Sequence, residues 1–151
     1  MKILVCGGSG FIGSTFIQNF LKNNPELDIT NLDNLSIGSN QENLKDIQNN
    51  SQYHFIQDNI KNESVISNLV KDFDIVVNFA AESHVDRSIS NPKPFVETNV
   101  LGTYSLLEAI RKYDKLFIHV STDEVYGDAE NGESFNEISQ INPSNPYSAT
   151  K

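Results

Sequence analysis

Two short runs in this sequence hold side chains suited to moving protons. Tyr147-Ser148-Ala149-Thr150-Lys151 sets a phenol and an ammonium four residues apart, one above the other if the run is helical. A nearby ammonium stabilises phenolate and brings a tyrosine toward the range of a working general base. The second run, Ser121-Thr122-Asp123-Glu124-Val125-Tyr126-Gly127, sets two adjacent carboxylates beside hydroxyls. On a strand, Asp123 and Glu124 would point to opposite faces, so a turn is needed to bring both to one substrate. Repulsion and burial would there split them into a protonated acid and an ionised base, the pair that eliminating water requires.

A third run binds rather than reacts. Gly7-Gly8-Ser9-Gly10-Phe11-Ile12-Gly13 satisfies G-x-G-x-x-G through Gly8, Gly10 and Gly13, and G-x-x-G-x-x-G through Gly7, Gly10 and Gly13. Glycines here permit a tight turn and close approach of a pyrophosphate, which the following helix N-terminus holds. Asp33 comes about 20 residues later, where an acidic side chain takes the adenosine ribose hydroxyls of a dinucleotide. A carboxylate there repels a 2′-phosphate, and no Arg or Lys follows closely, so NAD is expected over NADP.

The elements that must position these runs alternate strand and helix, the pattern of parallel β-α units. Strands are predicted at Ile3 to Val5, Ile29 to Asp33, Tyr53 to Gln57, Asp74 to Phe79 and Leu116 to Ser121. Helices are predicted from about Phe11 to Asn23, near Glu42 to Ile47, at Glu63 to Lys71, and as one long element from Pro92 to Tyr113. A loop is expected from Ala80 to about Asn91 and an irregular stretch over Asp128 to Asn145. Asn145-Pro146 has the form of an N-cap followed by proline at the first helical position. Right-handed crossovers give strand order 3-2-1-4-5, a Rossmann-like doubly wound α/β sheet with its ligand site at the strands' carboxyl ends.

Composition narrows the class. A chain of 151 residues allows one domain with a real core. Its net charge of −9, with Lys and Arg scattered, argues against a nucleic-acid surface. No apolar run approaches the roughly 20 residues of a membrane span. Cys6 stands alone, which excludes an internal disulfide and suits a cytoplasmic setting. His54, His84 and His119 lie far apart, and no metal site is expected.

Taken together, the glycine loop, Asp33 and Tyr147-x-x-x-Lys151 resemble the extended short-chain dehydrogenase/reductase superfamily over the whole chain. Three runs narrow the resemblance to the dTDP-glucose 4,6-dehydratases: Phe79-Ala80-Ala81-Glu82-Ser83-His84-Val85-Asp86-Arg87-Ser88-Ile89, Ser121 to Asp128, and Asn142-Pro143-Ser144-Asn145-Pro146-Tyr147. Sugar epimerases are similar at the glycine loop and Tyr-x-x-x-Lys but lack the Asp-Glu pair. Nucleotide-sugar decarboxylases and GDP-mannose dehydratases keep a Glu but usually not the preceding Asp. A UDP-sugar epimerase or decarboxylase, and a non-catalytic NAD-binding sensor, are the competing readings.

The resemblance implies roles for named residues. Tyr147, Lys151, Thr122, Asp123 and Glu124 would be catalytic, and Ser83 and Thr122 would touch the sugar of a nucleotide-sugar substrate. Gly7, Gly10, Phe11, Ile12, Gly13, Asp33, Asn34, Ala80, Ala81, Ser83 and Thr98 would meet NAD, as would Tyr147 and Lys151. Asn59-Ile60 would stand at the adenine, where the family usually has Asp-Ile; the Asn carbonyl or Asp58 would replace that Asp. His84 and Arg87 are expected to be structural. The chain is expected to be an NAD-binding domain (1–151), incomplete at its C-terminal end. The part holding the substrate nucleotide would lie outside it, and the full-length protein is expected to be a homodimer. The isolated piece is expected to bind NAD weakly.

Overall fold

The computed structural model describes residues 1–129, 132 and 134–151. Five parallel strands form one sheet in the order β3-β2-β1-β4-β5, as the crossover rule predicts. They are β1 (Lys2–Cys6), β2 (Asp28–Asp33), β3 (Tyr53–Gln57), β4 (Ile75–Asn78) and β5 (Leu116–His119). The central strand β1 pairs with β2 through Ile3↔Ile29 and with β4 through Ile3↔Ile75.

Side chains alternate across β1, and each set has its own core. Ile3 and Val5 pack with Ile17, Leu21 and Ile29 under α1 (Phe11–Asn23). Leu4 and Cys6 pack on the opposite face with Ile66, Val70, Leu106 and Ala109. Those last four come from α2 (Glu63–Val70) and α5 (Thr103–Tyr113). Burial on both faces explains why β1 and β4 read as nearly continuous apolar runs.

Three expectations change. The loop predicted from Ala80 to Asn91 contains α3 (Val85–Ser90), six residues with little apolar content to announce it. The segment near Glu42 to Ile47 is a 3₁₀ helix, Gln41–Ile47, capped by Asn40. The long helix expected over Pro92 to Tyr113 is instead α4 (Lys93–Phe95), a π-helical run Val96–Gly102, and α5. The wider π turn lets the amide of Asn99 face inward, where Oδ1 accepts from Glu82 N (2.8 Å) and Nδ2 donates to Glu82 O (3.1 Å). Periodicity in apolar residues does not register such a bulge.

The stretch expected to be irregular, Asp128 to Asn145, has no helix or strand among its described residues; positions 130, 131 and 133 lie outside them. The chain then enters α6 (Pro146–Thr150) through a capping box. Asn145 Oδ1 accepts from Ser148 N (2.8 Å), and Ser148 Oγ accepts from Asn145 N (3.3 Å). Among the described residues no helix is long and apolar enough to cross a membrane, and no His/Cys/Asp/Glu group is arranged to hold a metal.

Candidate active site

At the carboxyl ends of the strands lies an open cavity of about 420 Å³. Its floor is the glycine loop. Gly7 has φ +76°, and a Cβ there would sit 2.5 Å from Ala80 N, so only glycine lets the loop after β1 lie against the loop after β4. Gly13 allows equally close approach of α1, since a Cβ would fall 2.8 Å from Gly8 Cα. At Gly10 a Cβ would meet only Gly7 O, at 3.4 Å, and would otherwise project toward the open side. No side chain caps the N-terminus of α1, and no acidic residue stands in its first turn. The N–H groups of Phe11, Ile12 and Gly13, all on the cavity wall, are thus free for an anion. Phe11 and Ile12 are strongly exposed there.

Asp33 ends β2, buried, with one oxygen accepting from Ser9 N (2.9 Å) and the other from Leu35 N (2.8 Å). It therefore locks the glycine loop to the turn after β2. Each carboxylate oxygen keeps a second lone pair for a ribose hydroxyl. The same charge, second to burial, pushes the Cys6 thiol up to about 12. Asn34, Ser36, Ile37, Gly38 and Ser39 continue the wall. Across the cavity, Asp58 Oδ1 accepts from Asn59 N (2.7 Å), and Asn59 Oδ1 from Lys61 N (2.9 Å). Both side chains brace their own turn while facing the cavity beside Ile60.

The far end is built from β4, β5 and α6. Ala80, Ala81, Ser83 and Thr98 line it with Tyr147 and Lys151, so every residue expected to meet a dinucleotide lines this one cavity. Lys151 Nζ donates to Val120 O (2.7 Å), and burial lowers its ammonium from the ordinary value. The rings of Tyr147 and buried Phe95 form a T-shaped pair, with centroids 6.4 Å apart and planes at 76°. Val120, Ser121, Glu82 and His84 also line the cavity and were not anticipated. His84, strained at φ +81°, turns the chain into α3, and Arg87 pairs with Glu82 (3.0 Å) to hold that loop. The structural role expected of Arg87 fits this pairing.

The acid pair is placed differently. Thr122, Asp123 and Glu124 are not on the cavity wall. The required turn exists as the 3₁₀ helix Asp123–Tyr126, whose N-cap Thr122 accepts from Glu124 N (3.4 Å). The Thr122 hydroxyl donates to Asp123 Oδ1 (3.3 Å). Asp123 is exposed and Glu124 half-buried. Glu124 Oε2 accepts from Asn145 Nδ2 (3.2 Å), and Asn145 caps the helix of Tyr147 and Lys151. The two chemical runs therefore share one asparagine.

A family model described as GDP-mannose 4,6 dehydratase matches residues 4–151. The chain belongs to this family. Among the dehydratase relatives, the dTDP-glucose 4,6-dehydratase of Mycobacterium tuberculosis (strain ATCC 25618 / H37Rv) is 44% identical over 153 residues, covering all of this chain and 46% of the relative. The enzyme of that description from Salmonella typhimurium is 43% identical over 172 residues, with coverage of 100% and 47%. Among solved structures, the dTDP-glucose 4,6-dehydratase of Streptomyces venezuelae, with NAD bound, superposes at TM-score 0.94 and 39% identity, with coverage of 100% and 48%. The Thermus thermophilus UDP-glucose 4-epimerase complexed with NAD gives 0.86 and 30%, with coverage of 100% and 47%. The chain spans about half the length of the curated relatives it matches.

Proposed function

We propose that the protein carrying this chain dehydrates a nucleoside-diphosphate glucose, dTDP-glucose, to the 4-keto-6-deoxy sugar, as a hydro-lyase. The observation that carries the reading is the single cavity shared by the glycine loop, Asp33, Tyr147 and Lys151, with Glu124 tied through Asn145 to the helix that carries Tyr147. The cavity residues fit NAD: an uncapped helix N-terminus for the pyrophosphate, Asp33 and Asn34 at the adenosine, Asn59 and Ile60 at the adenine, Ala80, Ala81, Ser83 and Thr98 along the rest. Bound NAD supplies reversible hydride storage, a hydride taken from C4 and returned at C6.

The chain's own residues supply the proton transfers. Tyr147 takes the C4 hydroxyl proton, with the Lys151 ammonium stabilising the phenolate. Ser83 and Thr122 hold the sugar hydroxyls. The C4 ketone acidifies the C5 hydrogen, Glu124 removes it as Asp123 protonates the C6 hydroxyl leaving as water, and Glu124 gives a proton back to C5 when C6 receives the hydride. In this reading residues 1–151 are the NAD-binding domain, and the groups that hold the nucleotide come from outside it. The protein works in the cytoplasm as a homodimer, a state supported by the exposed apolar stripe Val96, Val100, Leu101, Tyr104 and Leu107.

The test is to incubate the protein with dTDP-glucose and follow the alkaline absorbance of a 4-keto-6-deoxy product, with UDP-glucose alongside. Product from dTDP-glucose that disappears in Glu124→Gln is the expected result. An epimerised or decarboxylated UDP-sugar with no keto product would replace this reading by the shared NAD scaffold with different chemistry.

A further inference from the structure

Ser88 has no part in the reaction just described, yet it is wholly buried and its hydroxyl is committed twice. Oγ donates to Val85 O at 2.7 Å and accepts from Tyr147 N at 3.0 Å. The first turn of α6 explains the second bond. A helix leaves its first N–H groups without partners inside the helix. Pro146 has no N–H, Asn145 takes that of Ser148, and Ala149 N reaches Asn145 O at 2.9 Å. Only Tyr147 is left, and its acceptor comes from α3.

That helix is itself fixed to the cavity. His84, at its N-terminus, and Ser83 before it both stand on the cavity wall. One hydroxyl thus joins the backbone of the phenol-bearing residue to the loop that flanks it.

We propose that Ser88 is a positioning residue for Tyr147, setting the height of the phenol against Ser83 and Ala81. The proposal rests on the reading of Tyr147 as the proton acceptor. Without the hydroxyl the first turn of α6 must shift to find another acceptor. A displacement of about 1 Å at a reacting group costs up to a hundredfold in rate.

The experiment compares Ser88→Ala, Ser88→Cys and Tyr147→Phe in the protein carrying this chain, with dTDP-glucose as substrate and NAD affinity measured by calorimetry. Ser88→Ala is expected to lower kcat roughly ten- to hundredfold while KM and NAD affinity stay within about twofold. An unchanged kcat, or NAD affinity falling as far as kcat, overturns the proposal. If Ser88→Ala does not fold, the near-isosteric Ser88→Cys decides by the same split. Product formation surviving in Tyr147→Phe defeats the underlying reading instead, whatever Ser88 shows.

Discussion

His119 illustrates how one residue can set a condition on the site. It ends β5 with Nδ1 3.2 Å from Asn78 Nδ2. Burial, and then the nearby Lys151 ammonium, lower its pKa from the ordinary 6.5, with the Lys151 backbone acting in opposition. The folded state thus favours neutral imidazole, and the unfolded chain binds the proton first as pH falls. Stability rises with pH wherever the unfolded state holds more protons. It should therefore decline as pH drops from about 6.5 through the folded value. Thermal melts across that window check this, and His119→Gln should flatten the decline. An unchanged slope in His119→Gln would assign the dependence to other groups. Nothing in the sequence marks His119, because its setting comes from Asn78 and Lys151, both distant in sequence.

At the scale of elements, Asn145 has two duties: it caps α6, and it holds Glu124. Asn145→Ala should cost about 1 kcal/mol through the lost cap, measurable by denaturant titration. It should also lower dehydration more than that loss of fold accounts for, since Glu124 is released; activity retained in the folded fraction would limit Asn145 to its cap. The cap was legible, because Asn-Pro before a Tyr-x-x-x-Lys run is a local signal. The tie to Glu124 was not, since it joins positions 21 apart in the chain. The same division runs through the whole chain. Strand order, α1 and the glycine loop follow from short-range pattern. The helix α3, the π turn around Asn99 and the position of Thr122, Asp123 and Glu124 off the cavity wall depend on partners distant in sequence. Ser121, one residue earlier, lines the cavity instead, its hydroxyl donating to Lys151 O at 3.2 Å.

For the molecule as a whole, the exposed stripe from Val96 to Leu107 departs from an ordinary solvated helix face. Its residues recur about once per turn, so a second copy could bury them as one seam. If the proposed homodimer forms through this stripe, replacing Leu101 and Leu107 together by Ser is expected to give monomer in sedimentation, with the dinucleotide cavity intact. A dimer that persists would move the contact elsewhere. The placing of β1 has a separate consequence, for synthesis on the ribosome. It is the middle strand and emerges before β4, but its N-terminal residue Lys2 bonds Asp74, 72 residues later. At about 5–20 residues per second, the nascent chain must carry one unpaired edge of Ile3-Leu4-Val5 for roughly 4–14 s before β4 arrives. During that interval its most apolar strand is open to chaperones and to other nascent chains.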